Sequence, residues 1–253
     1  MAVSNIIYGI NAVATLLRRS PERAEIVYLQ QDLGAKRMAR LNDVIKHSGV
    51  SVRRVSGAEL EKLTQTEKHQ GVAALAVESV RLQETEAKSL IQGLDSALIL
   101  IFDEVQDPRN FGACLRTADA AGVDLVVTAR SRTVGYTPVV SKVAAGAAEI
   151  QPVVEVANLA RFLEYLKEQG IALVGASADA SATLYDVDLA GPTAIILGAE
   201  GKGLRHLTRE CCDSLVRLPM SGVVESLNVS VATGICLYEI QRQRRLATKS
   251  AVR

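Results

Sequence analysis

The sequence contains no apolar run approaching the roughly 18 residues of a bilayer span, so a helical membrane anchor is not expected. Its first residues, MAVSNIIYGINAV, carry neither the basic start nor the small-residue cleavage site of a secretory signal, and a cytoplasmic protein is expected. Cys114, Cys211, Cys212 and Cys236 form no CxxC pair, and His47, His69 and His206 lie scattered without metal-ligand spacing. Disulfide and metal chemistry are therefore not expected. There is no GxGxxG and no Walker GxxxxGK[ST] motif, which disfavours a dinucleotide or P-loop enzyme. A net charge of +1 gives no global field announcing nucleic acid. Internal repeats and low-complexity tracts are absent as well.

What remains is an ordinary folded composition: 253 residues, 48% hydrophobic and 23% charged, enough for one large domain or two smaller ones. Residues 79–96, SVRLQETEAKSLIQGLDS, are polar without β alternation and read as a linker, with room for a short helix at 86–94. Before it, helical and extended patterns alternate. Helices are predicted at 12–19, 35–49 and 56–63, the last opened by Ser56 with Glu59 three residues on, and strands at 25–29, 51–55 and 71–77. This part is basic, with 11 Lys/Arg against 8 Asp/Glu in residues 1–78, whereas 98–253 hold 16 against 17. That asymmetry is weak evidence for RNA on the N-terminal side.

After the linker the strands become continuously apolar: 97–102, 125–129, 171–176, 193–199 and 214–219. Such runs suit a parallel sheet covered on both faces by helices, predicted at 110–122, 139–150, 158–170, 204–212 and about 229–246. Ligands of open parallel sheets sit beyond the carboxyl ends of the strands, and three strand ends here are rich in glycine or polar residues.

Three motifs occupy those ends. The first is FDEVQDPRNFGACLRTADAAG (102–122), where Asn110, Gly112 and Arg116 interrupt what would otherwise be a plain core helix. Asn110 and Arg116 are six apart, nearly opposite on an ideal helix, but an asparagine at the helix start belongs partly to the preceding loop and can converge with a long arginine. The second is ILGAEGKGLR (196–205), whose Gly198, Gly201 and Gly203 allow close backbone approach and a sharp turn. The third is LPMSGVVESLNVSVATGICLYEI (218–240), a loop with apolar surface and free amides leading into the last helix. The two loops together suit a nucleoside clamped between backbone walls better than a polyphosphate, since neither concentrates phosphate-neutralising charge.

In this order and spacing the three motifs resemble the SpoU (TrmH) family of S-adenosylmethionine-dependent RNA 2′-O-methyltransferases, of the SPOUT class. YGINAV (8–13) and HQGVAA (69–74) extend the resemblance to members that methylate a guanosine in the peptidyl-transferase region of 23S rRNA. Asn11 stands where a histidine is frequent, and the tail beyond about Leu246 looks like a variable end. The resemblance implies an α/β protein with a small N-terminal L30e-like RNA-binding domain (1–78), the linker (79–96), and a catalytic SPOUT domain with a deep trefoil knot (97–253). It also implies S-adenosyl-L-methionine as cofactor, 23S rRNA as partner, no metal and no membrane. An obligate homodimer with sites near the interface is expected too, covering apolar Ile235, Leu237 and Ile240 of the last helix.

By the same resemblance, Gly198, Leu218 and Leu227 bind the cofactor largely through backbone groups, with Ala199, Gly201 and Met220 nearby. Without it, Leu218 and Leu227 read as core residues. Asn110, Arg116, Glu200, Ser226 and Asn228 carry the chemistry. An arginine does not readily deprotonate, so Arg116 is read as gripping the target phosphate and stabilising developing alkoxide, not as a base. Glu200 is read as orienting Arg116 or a substrate group. Asn110, Ser226 and Asn228 offer short neutral donors and acceptors to the ribose, and Asn228 equally suits the cap of the last helix. The alternatives are a methyltransferase acting on tRNA or another rRNA nucleotide, and a non-catalytic RNA-binding assembly factor.

Overall fold

A computed structural model of the chain describes residues 4–77, 81–130, 133–199 and 201–251. It divides into two compact units, one of residues 1–80 with 136–150 and one of 81–135 with 151–253.

The first unit opens with β1 (Ser4–Tyr8), α1 (Ile10–Arg19), β2 (Ala24–Gln30), α2 (Ala35–Ser48), β3 (Val52–Val55), α3 (Gly57–Thr64) and β4 (Val72–Val77). Its sheet runs β1-β4-β2-β3, antiparallel except for the parallel β2–β3 pair. Val13, Leu16 and Leu17 repeat at helical spacing on α1 and pack with Leu41 over Val27, Leu29, Val72 and Ala74. The opposite face is covered more thinly, by Leu60 against Tyr8, Val55 and Ala73. Ser56 caps α3 by accepting the Glu59 N–H at 3.2 Å, the half of the capping-box pattern that involves the serine.

The second unit begins inside the expected linker. Leu82 bridges Val154, and in α4 (Glu84–Gln92) Ala87 and Ile91 are buried in the main core. The segment's charged face hid an apolar stripe of Ala87, Leu90, Ile91 and Leu94 at helical spacing. Then follow β5 (Leu98–Phe102), α5 (Pro108–Ala121) and β6 (Leu125–Ala129). Residues 139–150 do not form the single helix predicted. α6 (Pro138–Val143) stops, Ala145 and Gly146 take φ of 54° and 106°, and a 3-10 turn covers Ala147–Glu149. Two successive left-handed residues cannot continue a right-handed helix. This segment groups with the first unit, where Arg23 pairs with buried Glu149 at 3.0 Å. Burial pushes the Glu149 carboxyl up, against the pull of Arg23.

The chain continues with β7 (Val153–Val156), α7 (Leu159–Glu168), β8 (Ala172–Ala176), β9 (Ala182–Thr183), β10 (Thr193–Leu197), α8 (His206–Cys211), β11 (Ser214–Arg217) and α9 (Val229–Ala251). β7 and β9 are additions to the predicted strands. VVEV is too short, and its glutamate too polar, to stand out as a buried run. All strands are parallel in the order β7-β6-β5-β10-β8-β11-β9. Every residue of β5, β6 and β10 is buried, as strands covered on both faces must be. Phe162, Leu163 and Leu166 of α7 cover one face with α4. β10 lies between β5 and β8, both earlier in the chain, so the sheet reverses its order of growth at that point. A crevice beyond the carboxyl ends of the strands is expected there.

Candidate functional site

Two cavities open at that reversal. The first, about 290 Å³, lies beyond the ends of β8, β10 and β11. Gly198, Ala199, Gly201, Leu218, Met220 and Leu227, all six residues expected to hold the cofactor, line it together with Ser226. The glycines have separate reasons to be glycine. A Cβ at Gly198 would fall 2.1 Å from the Gly203 carbonyl carbon, so the backbone at 198 lies directly against that at 203. Gly201 and Gly203 instead need their left-handed φ of 76° and 66°. Ala199 and Gly203 close the turn by exchanging backbone hydrogen bonds of 3.1 and 2.9 Å.

This donor set suits a nucleoside. Val216, Leu218, Met220 and Leu227 give apolar walls, and the glycine turn gives close backbone amides. Among the described lining residues there is no cation to neutralise a polyphosphate. The residues present therefore fit S-adenosylmethionine, through the walls formed by 198–203 and 218–227.

The second cavity, about 260 Å³, shares Gly198, Ala199 and Val229 with the first and is otherwise lined by Glu104, Val105, Gln106, Asp107, Asn110 and Lys202. Asp107 caps α5, accepting the N–H groups of Arg109 and Asn110 at 2.6 and 3.1 Å. Asn110 is thus the third helical residue, not a loop residue. Its Oδ1 accepts from Asn228 Nδ2 at 3.0 Å, joining two motifs 118 residues apart. Asn228 Oδ1 in turn accepts from the backbone and hydroxyl of Ser230 at 2.9 and 2.6 Å. Asn228 therefore holds the start of α9 and touches Asn110 at once, as its two readings from sequence allow.

Arg116 stands apart. It lies a turn and a half further along α5, is exposed, and lines neither cavity. Asn110 has entered the helix, and the six-residue spacing sets Arg116 on a different side of it. Glu200 lies outside the described residues.

Two clamps that the motifs did not single out hold the walls. Asp103, 1% exposed at the end of β5, accepts the Arg205 backbone N–H at 2.9 Å and its Nε at 2.5 Å. This ties the residue after the glycine turn to the sheet. Ser177, which lines the first cavity, donates to Asp179 at 2.5 Å and accepts from Arg209 at 2.7 Å. Arg209 grips Asp179 with two bonds of 3.0 Å. Hydrogen bonds from Arg209 and then Ser177 hold the Asp179 carboxyl down at about 2. Asp103 in FDE was legible as a polar residue ending a buried strand. Its partner, 102 residues away, was not.

On α9, Leu237 and Ile240 are fully buried, contrary to the expectation that a partner covers them, and Ile235 is half-buried. Among the described residues, the exposed large apolar ones are Val231, Tyr238 and Leu246 on that helix and Val223 and Val224 in the preceding loop. The helix seam faces α5 in the same unit, which the sequence pattern alone could not tell from a subunit interface.

Comparison with known proteins adds an independent line. The SpoU rRNA Methylase family model matches residues 97–238, and a model for RNA 2′-O ribose methyltransferase substrate binding matches 6–79. A 23S rRNA (guanosine-2′-O-)-methyltransferase, RlmB, of Shewanella oneidensis is 49% identical over 245 residues, 97% of this chain and 100% of its own. A solved RNA 2′-O ribose methyltransferase superposes with TM-score 0.78 at 29% identity, covering 95% of this chain and 89% of its own. The SpoU methyltransferase AviRb of Streptomyces viridochromogenes, solved with AdoMet, shares the fold with TM-score 0.78 at 22% identity, over 95% and 90% of the two chains.

Proposed function

The chain belongs to the SpoU rRNA methylase family, and from that premise we propose how its two cavities divide the methylation of a guanosine 2′-oxygen in 23S rRNA. The protein is an S-adenosylmethionine-dependent 23S rRNA (guanosine-2′-O-)-methyltransferase. The observation that carries the division is the Asn110–Asn228 hydrogen bond, at the border where the two cavities share Gly198, Ala199 and Val229.

Bound in the first cavity, the cofactor supplies a methyl group already activated on a positively charged sulfur. The protein must then align the acceptor and ease loss of its proton. Asn110 and Asn228, fixed against each other and by the α9 cap, present amide groups to the ribose with little freedom left to lose. Lys202 is the cation among the described residues of the second cavity and suits the target phosphate. Ser226, lining the first cavity two residues from Asn228, is assigned to the same ribose contact. Glu200 keeps its role as orienting partner of an arginine or substrate group, on the resemblance alone.

Arg116 reaches an active site most simply if that site belongs to a second copy. The outward course of Arg116 and the exposed Val231 and Tyr238 support a homodimer in which each copy completes the other's acceptor cavity. Light scattering at micromolar protein should give twice the chain mass, and an active monomer would refute the shared site. The first unit is proposed as an L30e-like RNA-binding domain, supported by the substrate-binding match over 6–79 and the local basic excess. The knotted path of the catalytic unit rests on the family resemblance, with support from the insertion of β10 between two earlier strands. No helix of the described residues is long and apolar enough to cross a membrane, and a cytoplasmic site of action accords with an rRNA substrate. Among the described residues no cluster is suited to a metal ion.

The test is transfer of labelled methyl from S-adenosylmethionine to unmodified 23S rRNA, followed by mapping of 2′-O-methylated positions. Asn110→Ala should abolish transfer while leaving S-adenosylhomocysteine binding intact. Label on tRNA alone would favour the alternative substrate.

A further inference from the structure

The walls of the cofactor cavity are almost without charge. Among its described lining residues Glu225 is the single ionisable one, followed directly by Ser226 and Leu227 of the third motif. It is exposed at the mouth, and among the described residues no cation pairs with it. Charged groups following β8 are already engaged. Asp179 is held by Arg209, and Arg217 donates to the carbonyl oxygens of Ala180 and Ser181. Among the described residues on that side, none answers the Glu225 carboxylate.

The two ligands this cavity must handle differ in charge more than in shape. In the reaction the ribose oxygen forms a bond to the methyl carbon, and the carbon–sulfur bond breaks with its electron pair left on sulfur. The ribose proton departs to solvent. The donor, with its sulfonium, thus becomes a neutral thioether, smaller by one methyl and lower by one positive charge. Apolar walls and backbone amides discriminate weakly over one methyl group. A carboxylate discriminates over the charge.

We propose that Glu225 is the specificity-determining residue of the cofactor cavity, favouring the sulfonium donor over the neutral product through its unpaired charge. This rests on assigning the cavity to S-adenosylmethionine. The position of Glu225 supports the polarity. It precedes the Ser226–Val229 segment, which borders both cavities, and the methyl-bearing sulfur must face the acceptor side. Once the methyl is transferred the attraction lapses, so the same carboxylate that assists loading does not retain the spent cofactor.

Because Glu225 is exposed, the attraction is weighed at the dielectric of water. Unit charges roughly 5 Å apart then change affinity by about three- to five-fold at low salt. The experiment is calorimetric binding of three ligands to the full chain and to Glu225→Gln. The ligands are S-adenosylmethionine, S-adenosylhomocysteine, and an analogue of S-adenosylmethionine carrying an ammonium in place of the sulfonium. The expected result is unchanged homocysteine affinity, with both cationic ligands weakened by about three- to five-fold. Glu225→Lys should move the cationic ligands further in the same direction. Equal weakening of all three would assign Glu225 to loop shape, and no change in any would show its charge to be fully screened; either result overturns the proposal. Failure of the unaltered protein to bind any of them would instead overturn the assignment of the cavity itself.

Discussion

Gly198→Ala is the sharpest perturbation the geometry offers. The added Cβ would meet the Gly203 carbonyl carbon at 2.1 Å, its oxygen at 2.2 Å and the Leu204 nitrogen at 2.4 Å. All three are backbone atoms, so no flexible side chain can step aside. Ordinary carbon contacts begin near 3.5 Å, so the 203–204 backbone must retreat by roughly 1 Å or more. That retreat breaks the paired Ala199–Gly203 hydrogen bonds of 3.1 and 2.9 Å, each contributing about 1 kcal/mol. Overpacking adds a further 1–3 kcal/mol or so. A loss of about 3–5 kcal/mol should lower the melting transition of the second unit by roughly 6–20 °C. The cofactor wall moves with the turn, so S-adenosylhomocysteine binding should fall by about 100-fold. Gly201→Ala is the control. Its Cβ meets open space, and only the left-handed φ of 76° opposes it, at about 1–2 kcal/mol. Calorimetric melting and ligand titration of both variants provide the measurement. If Gly198→Ala melts within 2 °C or so of the unaltered protein and binds normally, the close backbone passage is not what shapes the cavity.

Arg116→Ala should abolish methyl transfer yet leave S-adenosylhomocysteine binding within a few fold, since Arg116 lines neither cavity; a lost isotherm would contradict this. Arg205→Ala strands the Asp103 carboxylate, 1% exposed, and should cost about 2–3 kcal/mol in urea unfolding, whereas Asp103→Asn with Arg205 retained should cost less. Asp179 is held below its unfolded value, at about 2, so its contribution is present above the unfolded pKa and lost as pH falls through 2. Asp179→Asn should therefore flatten the acid limb of the stability curve between about pH 4 and pH 2, and an unchanged limb would show the Ser177–Asp179–Arg209 clamp to be absent in solution.

Local information was enough for much of this. The unbroken apolar runs of β5, β6 and β10 announced a parallel sheet because burial on both faces removes any polar alternation. Gly198, Gly201 and Gly203 announced a tight turn at a strand end suited to a nucleoside, and the family resemblance specified S-adenosylmethionine. Ser56 announced the start of α3.

What sequence pattern could not settle depended on partners distant in the chain. Nothing near Asn110 says that Asn228 will meet it, because β10 must first insert between β5 and β8 and α9 must fold back on α5. The amphipathic seam of Leu237 and Ile240 was visible, but an apolar stripe is the same whether it meets a neighbouring helix or a second copy. Residues 79–96 looked like a linker because their charged face dominates composition, while burial of Ala87 and Ile91 is decided by the sheet beneath them. Arg116 shows the converse. Periodicity alone placed it away from Asn110, and only the Asp107 cap set Asn110 inside the helix instead of in the loop before it. Periodicity reports which face of an element is apolar, and tertiary structure decides what that face meets.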